Sequence, residues 1–218
     1  MARSYTAKNI TVLQGLEPVR KRPGMYIGGV GADGLHHLVW EILDNAVDEA
    51  MNGYATNIEI TLNPNGTSVV VSDDGRGVPI DRYLQSQKSA LEVIFTTLHA
   101  GGKFENDSYR TSGGLHGVGA SVVNALSTEL IVTSKRDGAL WQQKFSRGKA
   151  TTKLQKIKRA RGTGTTICFQ PDPRIFPKTN FDPEIIRERI RVASYLHGGV
   201  RFTFLDEGNG SHEMFQHD

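Results

Sequence analysis

Asp33-Gly34-Leu35-His36-His37-Leu38-Val39-Trp40-Glu41-Ile42-Leu43-Asp44-Asn45-Ala46-Val47-Asp48-Glu49-Ala50-Met51-Asn52 and, shortly after it, Ile58-Glu59-Ile60-Thr61-Leu62 decide the fold class. In the first stretch Leu35, Leu38, Val39, Ile42, Ala46 and Ala50 recur at helical spacing and make one apolar stripe. Asp33 is expected to cap the start of this helix, and Gly53 to stop it. In the second stretch apolar and polar residues alternate, as in a strand with one buried face. A switch from period 3.6 to period 2 within one short segment means a helix that must bury its stripe against a sheet.

Working outward, Pro64-Asn65-Gly66 reads as a hairpin turn and residues 68–72 as the returning strand. Residues 91–99 read as a helix, 100–116 as a polar, Gly-rich loop, and 117–126 as a second helix entered from glycine. Residues 129–135 and 140–145 make a strand pair around Asp137-Gly138. The basic stretch 149–161 reads as a hairpin plus its loop, and 165–170 as a strand. Pro171, Pro173 and Pro177 mark a loop, 183–197 a helix, and 200–205 a strand closed by Gly208-Asn209-Gly210. Helices and strands mix without a strict βαβ rhythm. The expectation is an α+β domain, a two-layer sandwich of helices on one face of a mixed sheet.

Composition bounds the rest. The 218 residues suffice for one large domain or at most two small ones. No run approaches the roughly 18 apolar residues of a membrane span. The opening Met1-Ala2-Arg3-Ser4-Tyr5 lacks the apolar core of a signal peptide. A lone Cys168 excludes an internal disulfide framework and a cysteine-rich zinc site. A cytoplasmic protein with no membrane contact is the expectation. The net charge of +3 is too small to argue for nucleic acid by itself. Glycine stands out, with 24 residues in all and clusters early (Gly24 to Gly34), at Gly75 and Gly77, and between Gly101 and Gly119. Such clusters are turns or ligand cradles.

Three segments carry candidate chemistry. On the long helix Glu41, Asn45, Asp48 and Asn52 share a side, with Asp44 beside them. This is either a solvated face or the floor of a site, where a carboxylate and a carboxamide one turn apart hold a divalent metal or orient a water. Ser72-Asp73-Asp74-Gly75-Arg76-Gly77-Val78-Pro79 is either a tight turn or a carboxylate at a strand end that offers an acceptor to a purine amino group. Gly113-Gly114-Leu115-His116-Gly117-Val118-Gly119-Ala120-Ser121 is either a surface loop or a set of backbone N–H groups approached through glycines, suited to a triphosphate. It is not a Walker A loop, which needs Gly-Lys followed by Ser or Thr, nor a dinucleotide fingerprint. His36 and His37 point about 100° apart and make no metal pair. Cys168 alternates with apolar neighbours and reads as core. The run Lys153, Lys156, Lys158, Arg159, Arg161 reads as a solvated hairpin, since no aromatic residues interleave for stacking.

Taken together, residues 41–50, 73–77 and 113–119 resemble the ATP-binding motifs of the gyrase, heat-shock chaperone, histidine kinase and MutL superfamily. Within it the similarity is greatest to the ATPase domain of bacterial type IIA topoisomerase B subunits, those of gyrase and topoisomerase IV. Gly15 to Tyr26 resembles their N-terminal segment, Leu98 to Phe104 and residues 112–127 their lid and following helix, and Arg161-Gly162-Thr163-Gly164-Thr165 their adenine-side motif. The resemblance runs over essentially the whole chain.

It implies a Bergerat-type ATP-binding fold with a mostly antiparallel sheet, with residues 1–218 as the N-terminal ATP-binding domain of a longer protein. Residues 1–15 would be an arm and 100–118 an ATP lid. It implies ATP and Mg2+ as cofactors. Glu41 would be the general base, Asn45 the magnesium ligand, and Asp73 the adenine anchor, helped by Thr165 and a bound water. Gly77 would let adenine approach. Leu115, His116, Gly117, Val118 and Gly119 would offer N–H groups to the phosphates. Lys103 and Tyr109 would lie on the lid, and Tyr5 would reach the partner protomer's nucleotide in an ATP-bound homodimer. Arg76 and Glu49 are placed to pair. Arg76, Pro79 and Arg136 match the rim where aminocoumarin inhibitors contact the family. The implied activity couples ATP hydrolysis to DNA strand passage, with a topoisomerase A subunit (GyrA or ParC type) and DNA as partners of the intact enzyme. The alternative is a nucleotide-gated dimerisation clamp with little hydrolysis of its own. A γ-phosphate lysine would come from a following transducer domain, so this segment alone is expected to turn over ATP poorly. No DNA contact is assigned to it.

Overall fold

The computed structural model describes residues 13–100 and 119–218. In chain order these form α1 (Glu17–Lys21), α2 (Gly24–Ile27), α3 (Ala32–Met51), β1 (Asn57–Leu62), β2 (Val69–Asp73), α4 (Ala90–Thr96), α5 (Gly119–Ala125), β3 (Ser127–Arg136), β4 (Ala139–Ser146), β5 (Lys149–Ala150), β6 (Gln155–Arg159), β7 (Gly164–Pro171), α6 (Pro183–Leu196), β8 (Arg201–Asp206) and β9 (Ser211–Phe215). The strands join in one sheet of order β5-β4-β3-β7-β2-β1-β8-β9, with β6 also paired to β4. Among the described strand pairs only β1–β8 is parallel. The mixed, mostly antiparallel sheet with helices packed on it is the fold class that the sequence implies.

The alternation of β1 and β2 decides which face carries the helices. Ile58, Ile60, Leu62, Val69 and Val71 are buried, and they join Leu35, Leu38, Val39, Ile42, Leu43, Ala46 and Val47 of α3 in one core. Each fully buried aliphatic side chain contributes about 1.5–3 kcal/mol, so α3 is held chiefly by this stripe. Phe202 and Phe204 of β8 extend the core to Ile186 and Ile190 of α6.

Several element boundaries and pairings differ from the sequence reading. Helix α3 begins at Ala32, with Gly31 at the cap position and no side-chain cap; Asp33 sits in the first turn, where its charge favours the helix N-terminus. The stretch 149–161 is not a hairpin. Its strands β5 and β6 both run back along β4, interrupted where the N–H groups of Thr151 and Thr152 donate to the Lys144 carbonyl and the Lys144 N–H donates to Thr152 Oγ1. The turn at Gly208-Asn209-Gly210 leads into a further strand, β9, that pairs with β8. The short helices α1 and α2 are too brief to show periodicity.

One buried carboxylate joins distant segments. Asp172, just after β7, accepts from Arg20 Nη2 at 2.9 Å, Arg147 Nε at 2.8 Å and the Arg174 N–H at 3.0 Å. Arg20 Nη1 in turn donates to the Ala125 carbonyl at the end of α5, 2.7 Å away. Burial works to raise the Asp172 carboxyl, but these donors outweigh it and hold the group below the usual carboxylate range. Replacing Asp172 with Ala leaves two guanidinium groups, both partly in reach of water, without their acceptor. We expect a loss of about 2–3 kcal/mol in unfolding free energy, read as a lower urea midpoint at neutral pH. An unchanged midpoint would mean that the ion cluster contributes nothing net.

Candidate functional site

The end of β2 places the first group. Its antiparallel register with β7 sets Asp73 opposite Thr165, and Thr165 lies opposite Ser134 of β3. Beyond Asp73 the chain must turn within a crowded seam. Gly77 has φ +78°, a left-handed conformation that favours glycine. A Cβ there would lie 2.9 Å from both the Lys135 carbonyl and Ser134 Oγ. On Gly75 it would lie 2.8 Å from Asp73 Oδ1 and 2.9 Å from Glu49 Oε2. The result is a seam of bare, buried backbone beside a carboxyl group.

Adjacent Asp73 and Asp74, alike in sequence, are driven apart by their surroundings. Asp74 accepts from the N–H groups of Thr56 and Asn57, from Thr56 Oγ1 and from Asn57 Nδ2, at 2.6–2.9 Å. Burial opposes its ionisation, but these bonds outweigh that and bring it down to about 2. Asp74 is therefore structural, tying the start of β1 to the turn. Asp73 is pushed up to about 7, first by burial and also by the Glu49 and Asp74 charges; the N–H groups of Gly75 and Thr165 relieve this only in part. A carboxyl group so placed is a functional candidate.

Helix α3 supplies the second set. Its half-buried polar ribbon is His37, Glu41, Asn45 and Glu49, one turn apart in succession. Glu41 Oε1 accepts from His37 Nε2 at 2.9 Å. Its other oxygen lies against Gly119 at the start of α5, so closely that a Cβ on Gly119 would collide with it. Glu49 takes the Arg76 side chain in a two-point pair, Nη2–Oε1 at 2.7 Å and Nε–Oε2 at 3.1 Å, and also accepts from the Arg76 N–H. The Arg76 guanidinium stacks on the Tyr54 ring, 3.7 Å from its centre. On the far side of the turn Ser134 Oγ donates to the Val78 carbonyl and Arg136 Nη1 to that of Gly77, while Pro79 is exposed.

The structure thus brings Asp73, Gly77 and Thr165 together, with Arg76, Pro79 and Arg136 on or beside the same turn, and sets Glu41 beside Gly119. Asn45 lies between Glu41 and Glu49 on the helix. Tyr5, Lys103, Tyr109, Leu115, His116, Gly117 and Val118 lie outside the described residues. The polar side of α3 differs from the expected one in part. Asp48 is fully buried, Asn52 Nδ2 donates to the Asp48 carbonyl, and Asp44 turns to Arg189 of α6 at 3.4 Å. Two participants escape the sequence reading. His37 drops out with the metal pair, although a histidine four residues before a glutamate is itself a pairing signal. Ser134 carries no sequence signal at all.

Comparisons with known proteins bear on the family and the fold. Residues 31–175 match the profile of the "Histidine kinase-, DNA gyrase B-, and HSP90-like ATPase" family. The chain is 53% identical over 214 residues to the DNA gyrase B subunit of Thermotoga maritima, covering 98% of this chain and 34% of that protein. It is 49% identical over 216 residues to the DNA topoisomerase 4 B subunit of Mycoplasma genitalium, covering 99% of this chain and again 34% of the relative. It therefore spans about one third of the length of these curated relatives. The crystal structure of the 43K ATPase domain of Thermus thermophilus gyrase B in complex with an aminocoumarin superposes with a TM-score of 0.82 at 46% identity, covering 93% of this chain and 51% of that one.

Two measurements test the electrostatics. Because folding raises the Asp73 carboxyl, its ionisation is disfavoured in the native state. Its contribution to stability is full below about pH 4 and is lost as pH rises through about 7. Asp73→Asn keeps the acceptor for Gly75 but cannot ionise. Its stability should gain on the parent's between about pH 4 and 8, by roughly 3–4 kcal/mol in urea unfolding. A difference that does not vary with pH would place the Asp73 carboxyl at its ordinary value. The second measurement is an NMR titration of His37, which is raised from 6.5 chiefly by its hydrogen bond to Glu41. Glu41→Gln should bring the His37 midpoint down; no movement would mean that the pair does not form in solution.

Proposed function

The chain belongs to the histidine kinase-, DNA gyrase B- and HSP90-like ATPase family, and on that footing we propose that it is the ATP-binding and hydrolysing domain of a type IIA topoisomerase B subunit. The parent activity is that of gyrase or topoisomerase IV, in which ATP is coupled to DNA strand passage. The observation that carries the reading is the pairing of two carboxyl groups with different tasks. Asp73 is partly buried at a glycine-lined seam, and Glu41 sits beside the first residue of α5. About 12 Å of helix separates Glu41 from Glu49, whose carboxylate reaches the turn that holds Asp73. A nucleoside triphosphate laid along α3 has its base at one end of that span and its γ-phosphate at the other.

The adenine amino group donates to Asp73, with Thr165 and a bound water completing the contact, and Gly77 leaves room for the ring. Glu41 takes the proton of the attacking water, and His37 holds the carboxylate from behind. N–H groups of residues 115–119 receive the phosphates. Mg2+ takes one or two protein oxygens and completes its shell with phosphate and water, and the half-buried Asn45 carboxamide beside Glu41 fits such a ligand. Asn45 would hold the ion, which would supply charge neutralisation at the phosphates. Such chemistry is mostly positioning and charge stabilisation, which these groups provide.

Residues 1–218 then serve as the N-terminal ATP-binding domain, with 1–15 as the arm through which an ATP-bound homodimer forms and 100–118 as the lid that carries Lys103 and Tyr109. Tyr5 reaches the partner's nucleotide. A topoisomerase A subunit and DNA are the partners of the intact enzyme, in the cytoplasm. Arg76, Pro79 and Arg136 form the rim for aminocoumarins, a role supported by the ligand named for the Thermus thermophilus structure.

Calorimetric titration with a non-hydrolysable ATP analogue and Mg2+ tests the pocket. Binding of the adenine analogue should exceed that of the guanine analogue by at least about 100-fold, and Asp73→Asn should weaken it roughly 10- to 100-fold. Binding indifferent to base and to Asp73 would overturn the assignment. In the intact protein Glu41→Ala should leave analogue binding in place and lower turnover by about 10²–10⁴-fold.

A further inference from the structure

We infer that the basic margin of the sheet around β6 is a docking surface for the phosphate backbone of duplex DNA. The inference rests on the proposed function, which brings duplex DNA within reach of the chain. Between Gly148 and Gly162 lie Lys149, Lys153, Lys156, Lys158, Arg159 and Arg161, with no Asp or Glu. The whole chain carries a net +3, so everything outside this segment sums to −3. The positive charge is therefore gathered in one place.

The structure puts that charge on display. All five residues of β6 are exposed. The strand pairs with β4 through Ala139↔Arg159, Leu140↔Lys158, Trp141↔Lys156 and Gln142↔Gln155, and among the described residues no strand covers its other edge. A bulge lies between Leu140 and Trp141 and adds local twist to the strand. Lys156 Nζ reaches across to the Trp141 ring, 5.9 Å from its centre. Among the described residues none of the six cations pairs with a carboxylate. Helix α6 shows what a solvated basic face looks like in this same protein. There Arg187 pairs with Glu184 and Glu213, Arg189 with Asp44, and Arg191 with Glu188.

Lysines on a sheet edge also deter strand-to-strand aggregation. That role does not need Lys153 and Arg161, which lie off the edge strands β5 and β6. The absence of interleaved aromatics argues against stacking on single strands, but it is neutral toward duplex phosphates, which are bound by charge alone. Strands rise about 3.3 Å per residue, so the cations of β6 are spread in a row along the margin rather than bunched.

The test is fluorescence anisotropy of a labelled duplex of about 30 base pairs, titrated with the chain between about 50 and 200 mM salt. The parent should bind with a clear negative slope of log affinity against log salt. The combined variant Lys153→Gln, Lys156→Gln, Lys158→Gln, Arg159→Gln should lose at least about tenfold in affinity and about 2–4 in slope. The charge-keeping variant Lys156→Arg, Lys158→Arg should bind as the parent does. Binding of the ATP analogue, measured alongside, should be the same in all three. An unchanged affinity and slope in the neutralised variant overturns the inference while the ATP site stands. Preference of the parent for polyglutamate over duplex overturns it in favour of a protein partner. A parent that binds duplex through these residues but binds no ATP analogue keeps the surface and overturns the function instead.

Discussion

The Glu49 carboxylate fixes the geometry on which the site depends. It binds the Arg76 guanidinium at two points and the Arg76 N–H at a third, so the turn after β2 has no freedom to rotate against α3. Charge-assisted, two-point bonds of this kind are stronger and more directional than neutral ones. The helix is anchored in turn by its apolar stripe. A displacement of either element would move Asp73 relative to Glu41, and the two ends of the site would lose their common ruler. The stack of Arg76 on Tyr54 adds a second restraint in the same direction.

Close approach is the second constraint. At Gly75, Gly77, Gly119 and Gly164 a side chain would strike a backbone carbonyl, the Glu41 or Glu49 carboxylate, Asp73, or Ser134 Oγ. These glycines are positions where two segments meet with no room for a Cβ. Other glycines serve turns, as at Gly66 and Gly210, where φ is +67° and +74°. The two uses look the same in composition, and only the neighbours across the fold separate them.

This explains what was legible in the sequence. Periodicity located α3, the β1–β2 hairpin, the β3–β4 pair and α6, because each buries one regular face. It missed α1, α2 and β9, which are too short or too exposed to show a period, and it misread 149–161, where the pairing partner is the distant β4. Within the candidate site, the family resemblance singled out Asp73, Gly77, Glu41 and Asn45, while spacing alone did not separate Asp73 from Asp74. That distinction arises from the β1 start, whose Thr56 and Asn57 satisfy one carboxylate and leave its neighbour buried. Likewise Asp48 and Asn52 fall on the polar side by angle, yet one is fully buried and the other donates to its backbone.

The opposite shifts of the two aspartates carry an argument about function. Asp74 ionises readily and stabilises the fold at all but very low pH. Asp73 is held near pH 7 by burial and by the negative charges of Glu49 and Asp74, so its ionised form strains the folded state. Further relief requires another donor beside Asp73, in addition to the Gly75 and Thr165 N–H groups. On the proposed function that donor is the exocyclic amino group of adenine, and its arrival favours the ionised carboxylate that the empty pocket disfavours. The Gly75 and Thr165 N–H groups satisfy Asp73 only in part and leave acceptor capacity over. On the proposed function, a site that satisfied Asp73 fully within the protein would be more stable and would have less left with which to select a purine.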